Sequence, residues 1–267
     1  MIQRNETKNE NDWRELTRHV AELEQKQTKL NEELLAKESL LSICSHELKT
    51  PLTSISLQTQ MARRSLKKGQ DLFSREKIEK LIQITDSQDK KLLRLVEDML
   101  DHSRIQVGKF TITREHFDLC ELVKEIVGRY EAQATSMNGH LDLKTEKSIV
   151  GFWDRLRIEQ VVTNLINNAF KFGNGKPIRV EVAEHADTAW ISVQDSGNAI
   201  PSEHHTKVFH QFEQLSEGAP KCGMGLGLFI SKAIIELHGG SIGLESSPGL
   251  GARFTVKLPL SAKVIHC

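Results

Sequence analysis

From Trp13 the apolar residues Trp13, Leu16, Val20, Leu23, Leu30 and Leu34 recur at alternating spacings of three and four, with Gln27 at the one missing position. Such a seam belongs to a coiled coil, and no neighbouring apolar stretch is available to cover it, so self-association is the cheaper way to bury it. A second seam with the same alternation runs Ile78, Leu81, Thr85, Gln88, Leu92, Leu95 and Met99. Between the two, Leu41, Cys44, Leu48, Leu52 and Ile55 continue the first helix, and SLKKGQDLFSRE (65–76) reads as the turn into the second. A hairpin of two such helices is too thin to bury both faces, whereas two hairpins close a four-helix bundle. The expectation is a coiled-coil segment over 1–37 and a dimeric bundle hairpin over 38–108.

After Gly108 the periodicity changes. FTITREHFDLCELVKEIV predicts a short strand and then a helix opened by Asp118, with Glu121 at capping-box spacing. Strands are expected at 141–145, 177–184 and 189–195, helices at about 154–172 and 227–238, and a closing hairpin in SIGLES and ARFTVKLPL. Gly239 and Gly240 stop the second of those helices. Residues 109–267 therefore read as an α/β sandwich, one layer of strands and one of helices, with the last strands antiparallel. The fold class expected for the whole chain is multi-domain α and α+β.

Charge and cysteine usage exclude several classes. The 36 basic and 36 acidic residues cancel, so no global field favours nucleic acid or an anionic membrane. The densest basic cluster, Arg63, Arg64, Lys67 and Lys68, suits the C-terminal end of a helix. Cys44, Cys120, Cys222 and Cys267 have no metal-ligand spacing and read as free thiols in a reducing compartment. No stretch has the length of a membrane span or the h-region of a signal peptide, so the expected location is cytoplasmic.

VVTNLINNAFKF (161–172) sets Asn164, Asn167 and Asn168 inside an amphipathic helix, at a cost of about 2 kcal/mol relative to alanine. Ile158, Val162, Leu165, Ile166 and Ala169 form the core side, while Asn164, Asn168 and Lys171 share a narrow amide-plus-ammonium face. Solvated stripes ordinarily use cheaper residues, so the face points to a ligand. KCGMGLGLFISKAI places Gly223, Gly225 and Gly227 just before a helix, where backbone N–H groups and the helix dipole favour a phosphate; the same glycines also suit a flexible loop. Asp195, followed by Ser196 and Gly197 at the end of a strand, can accept from an exocyclic amine such as adenine's or simply make a turn. In SICSHELKTPLTSI, His46 and Thr50 lie one helical turn apart with Glu47 beside the histidine. A neutral imidazole is a good nucleophile near pH 7 and an adjacent carboxylate can orient it or take its proton, although single helical histidines are often structural.

HELKTP, NLINNAFKF, DSGNA and GMGLGLFISKAIIELHGGSI, in this order, resemble the H, N, G1 and G2 boxes of sensor histidine kinases, over about residues 38–260. The resemblance implies a homodimeric phosphotransfer hairpin followed by an ATP-binding domain of the type shared with gyrase and MutL. It implies that His46 accepts the γ-phosphoryl of ATP and passes it to an aspartate on the receiver domain of a response regulator. Glu47 would then be the activating base, and Thr50 would help position water in regulator dephosphorylation. It assigns Mg²⁺ to Asn168, the phosphates to Asn164, Lys171 and the glycines 223, 225 and 227, the flank of the nucleotide to Phe172, and adenine to Asp195 with Gly197. VFHQFEQL, with Phe209 and Phe212, resembles the F box that anchors the ATP lid. Ala199, Gly173 and Ala252 depart from the family pattern. Of these, Ala199 raises the prospect of a strained turn, and it keeps open an alternative reading as a nucleotide-gated dimeric scaffold with little kinase activity.

Overall fold

The computed structural model describes residues 2–67, 75–136, 140–214 and 223–261. By internal packing the chain falls into two units, Met1–Leu92 and Leu93–Cys267. The first holds one long helix, α1 (Ile2–Lys67), and the first half of α2 (Arg75–Gln106). Residues 68–74 of the expected turn, and the side chains of Trp13 and Leu16, lie outside what is described. On α1, Val20, Leu23, Leu30 and Leu34 are all exposed in the single chain. On α2 the expected seam from Leu81 onward is the sheltered side, with Leu95 buried, whereas Ile78 at its start is exposed, and Leu93, Val96 and Leu100 form a second apolar stripe that is exposed. No helix among the described residues is long and apolar enough to cross a membrane.

In the second unit the sheet order is β2-β4-β5-β7-β6, built from Leu141–Thr145, Ile178–His185, Thr188–Gln194, Gly251–Pro259 and Ser241–Ser247. Only the β2–β4 pair is parallel. The crossover that this requires contains α4 (Arg155–Phe172). Alternation along the strands turns one face inward: Val182, Ile191 and Val256 pair across three strands and are each no more than 1% exposed. Burying a side chain of this size contributes about 1.5–3 kcal/mol. α3 (Leu119–Ser136), α4 and α5 (Gly227–Leu237) cover that face. On the opposite face Trp190 lies 4.0 Å from Lys257 Nζ and 4.9 Å from the His185 ring.

The short strand expected ahead of the Asp118 cap forms as β1 (Glu115–Asp118) and pairs antiparallel with β3 (Val150–Trp153), a strand that the sequence pattern did not reveal. Trp153, buried, donates from Nε1 to the Pro259 carbonyl at 2.8 Å and so pins this small sheet to the end of β7. The Asp118 carboxylate accepts from the N–H groups of Cys120 and Glu121, which opens α3 as the capping pattern predicts. The last turns of α2 are fastened to α4: Asp101 Oδ2 accepts from Arg157 at 2.6 Å and Gln160 at 2.9 Å, and the same guanidinium covers the Phe110 ring at 4.4 Å.

A buried histidine joins two helix ends. His238 Nδ1 donates to the Ile234 carbonyl at 2.7 Å, and Nε2 accepts from the Asp154 N–H at 2.9 Å, an arrangement that needs the neutral ring. Burial pushes its pKa down. The unfolded chain therefore takes up this proton first as the pH falls through about 6.5, so the contribution is complete above that value and is lost below it. Denaturant unfolding should show stability falling by up to about 1.4 kcal/mol per pH unit below pH 6.5, and His238→Gln should flatten that slope. An equal slope in the variant would show that His238 is not the titrating group.

Candidate nucleotide site and phospho-acceptor helix

The three asparagines of α4 are used differently. Asp154 caps the helix by accepting from the Arg157 N–H at 3.1 Å, and Ile158, Val161, Val162, Leu165, Ile166 and Ala169 are buried. Asn164 Nδ2 donates to Ser231 Oγ on α5 at 3.0 Å, and Tyr130 donates to Asn167 Oδ1 at 3.1 Å. Asn168, half-buried, has no side-chain hydrogen bond among the described residues. Its amide is the one left for a ligand. At the end of the helix Phe172 is 44% exposed and the Lys171 ammonium lies 4.6 Å from the centre of its ring.

Two turns close on this helix through glycines. A Cβ at position 197 would stand 2.0 Å from the Phe172 carbonyl oxygen, and one at position 227 would stand 2.3 Å from Asn164 Oδ1. A side chain at 197 would push the turn away from the α4 backbone, and one at 227 would displace the Asn164 amide. The structure thus gathers Asn164, Phe172, Asp195, Gly197 and Gly227 along the C-terminal half of α4. The first turn of α5 has no side-chain cap, which leaves its N–H groups free of side-chain partners and oriented as an anion site requires. Gly225, with φ of +67°, and Gly223, with φ of +95°, complete the turn before it, while Lys221 and Cys222 lie outside the described residues.

Asp195 is 4% exposed. Its own N–H donates to the Ala252 carbonyl at 2.9 Å, and its Oδ1 accepts from Gly197 at 2.8 Å and from Ala252 at 3.4 Å. Burial pushes its pKa up, against the pull of those two N–H groups. The backbone of β7 is thus part of the site, a role that Ala252 fills through main-chain atoms regardless of its side chain. The strained turn expected at Ala199 is absent, because its φ is not among the positive ones, so glycine there would relieve nothing. Gly173 adopts an ordinary right-handed conformation as the C-cap of α4. Phe209 is buried, with its ring edge-on to Phe254 at 6.3 Å. Ser231 and Tyr130 were not singled out beforehand. Ser231 had a signal, since it lies four residues beyond Gly227 on the same helical face.

The remaining candidates belong to the first unit. The His46 side chain is 81% exposed and Glu47 11%, with Nδ1 to Oε1 at 3.7 Å. Thr50 Oγ1 donates to the His46 carbonyl at 3.2 Å. Pro51 lies inside α1 and has no N–H to give the Glu47 carbonyl.

Residues 36–108 match the His Kinase A (phospho-acceptor) domain, and residues 153–262 match the histidine kinase-, DNA gyrase B-, and HSP90-like ATPase family. The catalytic domain of histidine kinase ThkA is 30% identical, with a TM-score of 0.51 over 56% of this chain and 99% of that one. This chain belongs to the sensor histidine kinases. Histidine kinase AdeS of Acinetobacter baumannii superposes over 80% of this chain and 98% of its own, at 25% identity and a TM-score of 0.59. The alginate biosynthesis sensor protein KinB of Pseudomonas aeruginosa is 36% identical over 81% of this chain. The chain spans 36% of that relative's length. Within the histidine kinase family the α/β domain is the ATP-binding one, and the helical region is the phospho-acceptor domain.

Proposed function

We propose that this chain autophosphorylates on His46 with ATP and passes the phosphoryl group to an aspartate on a response regulator, acting as a homodimer in the cytoplasm. What carries the reading is the pair His46 and Glu47, an exposed imidazole with a nearly buried carboxylate 3.7 Å from Nδ1. With Glu47 holding or taking the Nδ1 proton, Nε2 keeps its lone pair and attacks the γ-phosphorus. The bond to the β-phosphate oxygen breaks and ADP leaves. A scaffold that only opens and closes on ATP has no use for that pair.

On the nucleotide side, Asp195 accepts from the adenine amine, Phe172 flanks the ring, and Asn164, Lys171 and the turn of Gly223, Gly225 and Gly227 lie along the phosphates. The free Asn168 amide fits Mg²⁺, a hard cation that takes oxygen ligands and would offset phosphate charge when bound. Thr50, one turn beyond His46, is assigned to positioning water for regulator dephosphorylation. The exposed stripes on α1 and α2 are what a second copy covers. Incubation of the chain with labelled Mg-ATP should give protein-bound phosphate that survives base and is lost in acid, as expected of a phosphoimidazole. Label stable in acid, or none, would overturn the assignment.

A further inference from the structure

The last turns of α2 carry a histidine that the proposed reaction does not use. His102 is 7% exposed, and its Nε2 lies 2.8 Å from Gln211 Oε1, an oxygen that also accepts from Gln106 Nε2 at 2.9 Å. Its ring sits 5.4 Å from that of Phe212 and 5.7 Å from that of Phe229, tilted to both. One imidazole therefore touches the segment leading into the lid and the first turn of α5.

The residue it touches is conformationally unusual. Phe212 has φ of +64°, a region that bulky side chains occupy only when their surroundings hold them there. Its N–H donates to the Gly225 carbonyl at 3.0 Å, and a Cβ at position 225 would stand 2.8 Å from the Phe212 carbonyl carbon. Phe212 and the glycine turn are thus locked together, and His102 with Gln211 is what braces Phe212 from the α2 side.

We propose that His102 is a positioning residue for the nucleotide phosphates: by holding Gln211 and Phe212 it keeps the Gly223–Gly227 turn in the one conformation that presents its N–H groups to them. The inference rests on the ATP-site reading above and adds a direction to it. The phosphate end of the site depends on the last turns of α2, whereas the adenine end, held by Gly197 and Ala252, does not. If the turn spends only a tenth of its time in the competent conformation once the brace is gone, affinity for anything that uses the phosphates falls about tenfold.

The test is titration of the full chain with a non-hydrolysable ATP analogue and, separately, with adenosine. His102→Ala should weaken the analogue about tenfold and adenosine less than about twofold, and His102→Gln, which restores an N–H donor, should recover part of the loss. Should His102→Ala fail to fold, His102→Phe keeps the ring contacts without the donor, and with Gln211→Ala it should show the same split. Analogue binding unchanged in these variants, or equal losses for both ligands, would overturn the proposal. Failure of the unmodified chain to bind the analogue at all would instead remove the ATP reading on which it rests.

Discussion

His46→Gln should abolish phosphate incorporation while leaving binding of a non-hydrolysable ATP analogue within about twofold of the unmodified chain. The side-chain amide can fill the space of the imidazole on an exposed helical face, so the fold has no reason to change, but it offers no nucleophilic nitrogen lone pair. The nucleotide contacts proposed above lie on α4, on the turn after β5 and on the turn before α5, none of which includes residue 46. Acid-labile phosphate retained by the variant would place the acceptor elsewhere. A parallel loss of nucleotide binding would mean that the substitution had disturbed more than the acceptor.

Asn168→Ala should lower the autophosphorylation rate by about a hundredfold or more, with added Mg²⁺ restoring only part of it. The size follows from how α4 distributes its amides. Asn164 is spent on Ser231 and Asn167 on Tyr130, whereas Asn168 makes no bond among the described residues that its loss would break. Removing it should therefore leave the melting temperature nearly unchanged, or raise it slightly, since alanine is the better helix former. Rate assays across a magnesium series, alongside thermal unfolding, check both halves of the statement. Wild-type rates would show that the amide face holds no metal.

Much of this was legible because local spacing and burial agree. The helix over 155–172 and the strands β2, β4, β5, β6 and β7 follow from 3.6- and 2-residue periodicities, each long enough to be read alone. β3 was not, because VGFW is four residues with a glycine among them, and its partner lies some thirty residues earlier in the chain. α2 was legible only in part. Its sequence carries apolar residues on two sides, and spacing alone does not say which of the two is exposed in a single chain. The three asparagines were conspicuous as a departure from helix propensity, yet only the contacts of Ser231 and Tyr130 separate those engaged in the fold from the one left open. Ala199 is the converse case, where a motif position suggested a left-handed turn and the backbone does not adopt one.

The place of β7 in the sheet bears on the order in which a newly made chain becomes competent. This strand, Gly251–Pro259, lies between β5 and β6, and its Ala252 supplies two of the three main-chain partners that fix Asp195, Gly197 being the third. During synthesis the helix bearing His46 emerges well before β7, and Asp195, just beyond β5, has only Gly197 as a main-chain partner until β7 arrives. At about 5–20 residues per second, the roughly 150 residues between the end of α2 and the end of β7 take on the order of 10–30 s to emerge. Through that interval His46 is present without the β7 contacts that complete the proposed adenine site, so a nascent chain should become able to bind nucleotide only once β7 has emerged.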